Sequence, residues 1–162
     1  MYKRLVLLAA ASAVLIMPAV ARAAPAPTSP VPFKVTFSGT ATTLLISSNF
    51  KGKGTATYMG PVTTDGHADV TGIDNSKCIA GVANANRETF ADLNGNSLTI
   101  TSQDVACLTG PGQFHGTGNW VVTGGTGLFH DATGQGWLDG HSDFVAGTFA
   151  ATVSGNLVLS LK

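Results

Sequence analysis

Residues 116–140 read Gly-Thr-Gly-Asn-Trp-Val-Val-Thr-Gly-Gly-Thr-Gly-Leu-Phe-His-Asp-Ala-Thr-Gly-Gln-Gly-Trp-Leu-Asp-Gly. The pattern is strand, glycine turn, short buried turn, strand. Gly124, Gly125 and Gly127 supply positive φ and close backbone approach, which side chains resist. Phe129 turns inward as a plug under the bend, and Ala132 is small enough for the returning chain to pack on it. Gly134 lets the next strand begin. A phosphate cradle is excluded, because neither Lys-Ser, Lys-Thr nor a helix follows the glycines.

Outward from this turn, the chain alternates in period two almost throughout. Phe33, Val35 and Phe37 face one way, and Lys34, Thr36 and Ser38 the other. Strands are expected over residues 33–43, 52–59, 66–73, 87–93, 97–106, 117–123, 135–143 and 148–161. Asn94-Gly95-Asn96 reads as a tight type I′ hairpin, and Gly155-Asn156 as a bulge in the last strand. About eight strands in one domain is the spacing of a closed barrel or a sandwich. Closure is favoured, because charged residues are only 11% of the chain and few remain to blunt sheet edges. The expected fold is all-β, a single eight-stranded antiparallel β-barrel over residues 33–162.

The N-terminus is a separate matter. Lys3 and Arg4 precede an apolar run, Pro18 breaks it, and Ala21-Arg22-Ala23 has the spacing that a signal peptidase reads. Residues 1–23 therefore read as a signal peptide cleaved after about Ala23, for secretion or delivery to a periplasm. The run is short for a membrane anchor, which needs ~20 apolar residues. Residues 24–32 carry four prolines and read as a disordered leader. Loss of Lys3, Arg4 and Arg22 leaves six basic against nine acidic residues. No basic patch remains, which argues against a nucleic-acid partner. Cys78 and Cys107 lie in the exported part, where a single disulfide is expected.

The run 122–136 resembles the Gly-Gly-Thr-Gly-x-Phe-x-x-Ala-x-Gly signature of the allene oxide cyclase-like and dirigent-like barrel group, matching at Gly124, Gly125, Thr126, Gly127, Phe129, Ala132 and Gly134. It is most similar to small exported bacterial proteins of unassigned activity that carry this signature, flanked by segments similar to residues 110–118 and 140–149. The resemblance implies an eight-stranded antiparallel barrel. It also hints at lipophilic or phenolic small molecules as a ligand class, and it transfers no catalytic residue.

For chemistry the chain offers little. His67 and Asp69 share a face of one strand, and His141 and Asp143 repeat that spacing. The two pairs could meet as a metal or acid–base site if their strands bring them together, although exposed polar positions are the plainer reading and no metal is expected. Asp131 is expected to accept a bond from a following amide, and Glu88 and Asp104 to pair with Lys77 or Arg87 or to be solvated. Trp120 and Trp137 flank the glycine turn as a cavity wall or, in the favoured reading, as a cross-strand pair. Tyr58, Phe50 and Phe114 would extend such a wall. Candidate ligand-binding residues are thus Trp120, Trp137, Tyr58, His67 and His141. Gly-x-Ser-x-Gly is absent, so no hydrolase elbow is indicated, and no cofactor is expected. Two functions fit: an exported barrel that holds an apolar or aromatic small molecule or serves as an envelope interaction module, and a cofactor-independent cyclase or isomerase acting on a lipophilic substrate. An open lumen with convergent polar groups favours the enzyme, and a lumen packed with side chains favours the structural role. Association with further copies stays open.

Overall fold

The computed structural model describes residues 29–44 and 46–160; the expected signal peptide and most of the leader lie outside these. Eight strands run in chain order: β1 (Val31–Leu44), β2 (Ser47–Ala56), β3 (Gly60–Ile73), β4 (Gly81–Ala91), β5 (Ser97–Gly110), β6 (Gln113–Thr126), β7 (Thr133–Asp143) and β8 (Thr148–Val158). Each pairs antiparallel with the next, and β8 closes on β1 from Val31↔Leu157 to Thr40↔Thr148. The fold is the expected closed eight-stranded barrel, which leaves no free sheet edge. Among the described residues the helical content is one 3-10 turn, Gly127–Phe129.

Side-chain volume divides the lumen into two halves. At the end carrying the β2–β3 and β4–β5 turns, large inward residues fill it: Phe33, Val35, Val62, Phe90, Leu98, Ile100, Trp120, Val153 and Leu157 are buried. Phe129 closes this end as expected and is fully buried, with Ala132 packed against the core. At the other end small inward residues, Ala41, Ala68, Ala106, Gly116, Gly140 and Ala151, alternate around the wall with Phe50, Phe114 and Phe149. An eight-stranded barrel is just wide enough to be filled by side chains or to hold one small ligand, so this change of residue size opens a cup in one half.

The glycine turn works in part as expected. Gly127 has φ 58°, and a Cβ there would strike the Asn96 side chain. A Cβ on Gly125 would strike the Phe129 carbonyl. Gly124 needs neither freedom: its φ is not positive, and the nearest atom to a Cβ would be Thr99 Cβ at 3.9 Å. The irregularity falls instead at Thr123, because Thr99 faces Gly124 while Ile100 faces Val122.

Other local expectations are corrected. The Asn94-Gly95 turn is not a two-residue hairpin. It belongs to a five-residue loop held by Asp92, whose carboxylate accepts from the Asn94 and Asn96 amides and from Asn96 Nδ2. Gly155-Asn156 forms no bulge, since both residues stay in register with β1 and β7. The domain begins at Val31 rather than residue 33, because Val31 and Pro32 already pair with β8. Several strands also start earlier than expected, β2 at Ser47, β3 at Gly60 and β4 at Gly81.

Candidate functional site

The open half of the lumen is a cup of about 500 Å³, within the size range of small-molecule sites. Its wall is aromatic. Phe149 packs between Phe37, met edge to face, and a tilted Phe50, with ring centroids 5.8 and 5.2 Å away, and Phe114 meets Phe144 at 5.2 Å. The Phe50 ring lies against Gly66, its register partner, where a Cβ would collide with it. Ile46, Val70 and Phe144 stand exposed at the mouth. Phe37 and Leu138, each buried in the core, make the apolar floor.

Beside that floor sits a polar cluster. Glu88 and Asp104 are 3% and 8% exposed, and both line the cup. Their inward direction follows from the pleat: Glu88 lies two residues from buried Phe90, and Asp104 four from buried Ile100. Asp104 packs on the bare backbone of β6, where a Cβ on Gly118 would meet it. Its Oδ2 accepts from Asn84 Nδ2 at 3.2 Å and its Oδ1 from Asn86 Nδ2 at 2.5 Å. Asn86 Nδ2 also donates to Ser102 Oγ at 3.1 Å. Glu88 Oε2 is buried without a hydrogen-bond partner among the described residues. Burial first, and then the nearby Asp104 charge, push the Glu88 carboxyl up to about 8. Burial also raises Asp104, against the opposing pull of the Asn86 and Asn84 amides and of Lys77. A neutral carboxylic acid therefore faces an apolar cavity at neutral pH, an arrangement suited to donating a hydrogen bond or moving a proton.

No protein-family model, no curated protein and no solved structure matches this chain.

Of the five expected ligand-binding residues, the structure brings His141 alone to the cup, at its rim. Trp120 points inward but is buried in the filled half, 6.0 Å from Phe33, and its Nε1 donates to the Ser154 carbonyl. Trp137 points outward beneath Lys77, whose Nζ lies 5.1 Å from the ring. The two tryptophans are not a cross-strand pair: Trp120 faces Gly136 and Trp137 faces Asn119, which puts them on opposite faces of the sheet. Tyr58 lies exposed in the β2–β3 turn at the filled end, with φ 67°. His67 faces outward between Asn49 Oδ1 at 2.8 Å and Asp69 Oδ1 at 3.0 Å. Phe50 and Phe114, expected only as extensions of a tryptophan wall, are the actual wall.

The two His-x-Asp pairs do not meet, since β3 and β7 lie on opposite sides of the barrel. His141 instead stacks on His115 across β6 and β7, with centroids 4.3 Å apart. His115, Asp139 and His141 place one ligand atom each within 4.8 Å of one another, the described residues best able to hold a metal ion. Asp143 caps the β7–β8 turn, and its bonds from Ala146 N, Gln113 and Val145 N hold its carboxyl below the usual range. Asp131 bonds the His130 ring at 2.8 Å rather than a following amide.

The expectation for Glu88 and Asp104 is overturned: both are buried in the lumen, and neither pairs with Arg87 or Lys77. Lys77 instead donates to Thr117 on the outer face. A parity count from Phe90, Leu98 and Ile100 would have found both acids, because every second residue from a buried anchor shares its face. Cys78 and Cys107 form the expected disulfide, a bond compatible with an oxidising compartment. Among the described residues no helix is long and apolar enough to cross a membrane.

Proposed function

We propose that this chain is exported and works as a small-molecule-binding barrel, holding an apolar or aromatic ligand in the open half of its lumen. The observation that carries this reading is the division of the lumen. Large buried side chains occupy one half, while the other keeps an aromatic-walled cup of about 500 Å³. A purely structural barrel would gain stability by filling that space, since unfilled core volume destabilises. Export is supported by the signal pattern of residues 1–23 and by the disulfide, and the ligand class agrees with the resemblance to cyclase-like and dirigent-like barrels. Neither nucleic acid nor a stable membrane anchor enters this reading.

Titration with N-phenyl-1-naphthylamine, a neutral apolar dye whose fluorescence rises outside water, tests it. Saturable one-to-one binding is expected. Filling the cup by Ala151→Phe or Ala106→Phe should weaken binding at least about tenfold, whereas Trp137→Ala on the outer face should leave it unchanged. Absence of saturable binding, or binding that survives both filled cups, refutes the proposal.

One observation favours a second reading, a cofactor-independent isomerase or cyclase acting in the same cup. Two buried carboxyls at the floor, with Glu88 held neutral, are the groups such proton chemistry needs. The two readings separate on turnover: a bound lipophilic ketone that exchanges its α-protons for deuterium in wild type, but not in Glu88→Gln, would make the chain an enzyme.

A further inference from the structure

The donor and acceptor inventory of the cup floor narrows the ligand further. The floor carries two carboxyl groups, Glu88 and Asp104, and two amide side chains, Asn84 and Asn86. Both Nδ2 hydrogens of Asn86 are spent on Asp104 and Ser102, and one of Asn84 is spent on Asp104. An amide whose hydrogens are committed offers its carbonyl oxygen. The amide carbonyls therefore add acceptors to the floor, and Glu88 Oε2, buried without a partner among the described residues, becomes a further acceptor once its carboxyl gives up the proton. Among the described residues neither Lys nor Arg lines the cup, and the one lining group able to carry positive charge is His141 at the rim. Beside this polar cluster lies the ring of Phe37, and above it stand Phe50 and Phe149; aromatic faces attract cations.

We propose that the ligand is an apolar molecule bearing a protonated amine, with its ammonium on the floor between Glu88 and Asp104 and its hydrocarbon body against Phe37, Phe50, Phe114 and Phe149. This inference rests on the reading of the cup as a binding site. An ammonium brings three donors and no acceptor, the complement of what the floor presents. An anionic ligand would meet two carboxyls and no opposing cation. A neutral alcohol would satisfy one acceptor and bring no charge to the two carboxyls.

The charge balance is explicit. In the empty cup Glu88 holds a proton. When the ammonium docks, the carboxyl O–H bond breaks, the proton passes to solvent buffer, and the carboxylate pairs with the ammonium. The titratable group facing Glu88 from β5 is Asp104, and β7 contributes His141 at the rim. The lumen-facing residues of β1, β2, β3, β6 and β8 that line the cup carry no ionisable side chain.

Three probes of one skeleton test this by titration calorimetry: 2-(1-naphthyl)ethylamine, 2-(1-naphthyl)ethanol and 1-naphthylacetate. At pH 7 the amine should bind about tenfold tighter than the alcohol, and the carboxylate about tenfold weaker. Repeating the titration in phosphate and in Tris should show close to one proton released per amine bound and none per alcohol. Glu88→Gln and Asp104→Asn should each bring the amine-to-alcohol affinity ratio down from about tenfold toward one, and Glu88→Gln should also abolish the proton release. Equal affinity for amine and alcohol without proton release overturns the inference and leaves the cup reading standing. So does a preference for the carboxylate, or an amine advantage that survives both variants. Failure of all three probes to bind defeats the cup reading and this inference together.

Discussion

Glu88→Gln should remove a pH-dependent weakness of the fold. Burial and the neighbouring Asp104 move the folded-state carboxyl from its ordinary 4.5 to about 8. Between these values the unfolded chain has lost the proton and the folded chain still holds it, so stability falls as pH rises. Below 4.5 both states are protonated and the group costs nothing. At ~1.4 kcal/mol per pH unit the loss reaches roughly 3 kcal/mol at pH 7, and it saturates near 5 kcal/mol above pH 8. Glutamine keeps the shape and cannot ionise, so its stability lacks this slope. Its own buried amide shifts the variant by a constant amount at every pH, and Asp104 contributes equally to both proteins. Asp74, Asp92 and Asp143 are held below 3.8 by bonds from Ser76, Asn96 and Ala146 respectively. They act with the opposite sign, in a more acidic window.

The assay is urea unfolding with the disulfide intact at pH 5, 6, 7 and 8, followed by the emission of buried Trp120 and by circular dichroism. Wild type should lose stability steadily relative to Glu88→Gln, with the difference between them growing by roughly 3 kcal/mol from pH 5 to pH 8. Parallel stability profiles would refute the reasoning, because they would mean that Glu88 titrates alike in both states and is not a buried neutral acid.

Three further outcomes follow from the fold. Reducing Cys78–Cys107, or replacing both cysteines by serine, opens a loop of sequence separation 29; it should lower stability by ~3–4 kcal/mol on the chain-entropy account, seen in melting with and without reductant. Phe129→Ala removes the fully buried plug of the closed end and should cost ~3–5 kcal/mol, against ~0.5 kcal/mol or less for Trp137→Ala on the surface. Gly127→Ala puts a side chain at φ 58° and against Asn96; it should cost ~1–3 kcal/mol, and an unchanged melting temperature would contradict the assigned turn geometry.

The barrel was legible where its lumen is dry. Phe33, Val35 and Phe37 on β1, and Leu98 and Ile100 on β5, alternate cleanly because their inward partners are apolar. The halves of strands that went unread surround the cup. On β4 the inward residues near the mouth are Val82, Asn84 and Asn86, and alanines face out, which erases the hydrophobic alternation. On β2 the mouth half is Ser47, Ser48, Asn49 and Phe50, with too little contrast between faces to read as a strand. The first half of β3, residues 60–65, has Pro61 at the strand's start, where proline is tolerated. The site was hidden by the same cause. Glu88 and Asp104 look like surface charges by composition, and only their parity with buried neighbours places them inside. The tryptophans misled because residue type was weighed without register. Trp120 and Trp137 flank one turn, yet the pairing of Trp120 with Gly136 sends them to opposite faces.

The central claim is that a small molecule sits inside the mouth half of the barrel, and intermolecular nuclear Overhauser effects with bound 2-(1-naphthyl)ethanol test it most directly. Cross-peaks from the naphthalene protons to Phe50, Phe149, Leu138 and Ala151 are the predicted result. Cross-peaks to Trp137, Tyr58 or other outer-face residues, with none to the cup, would contradict it.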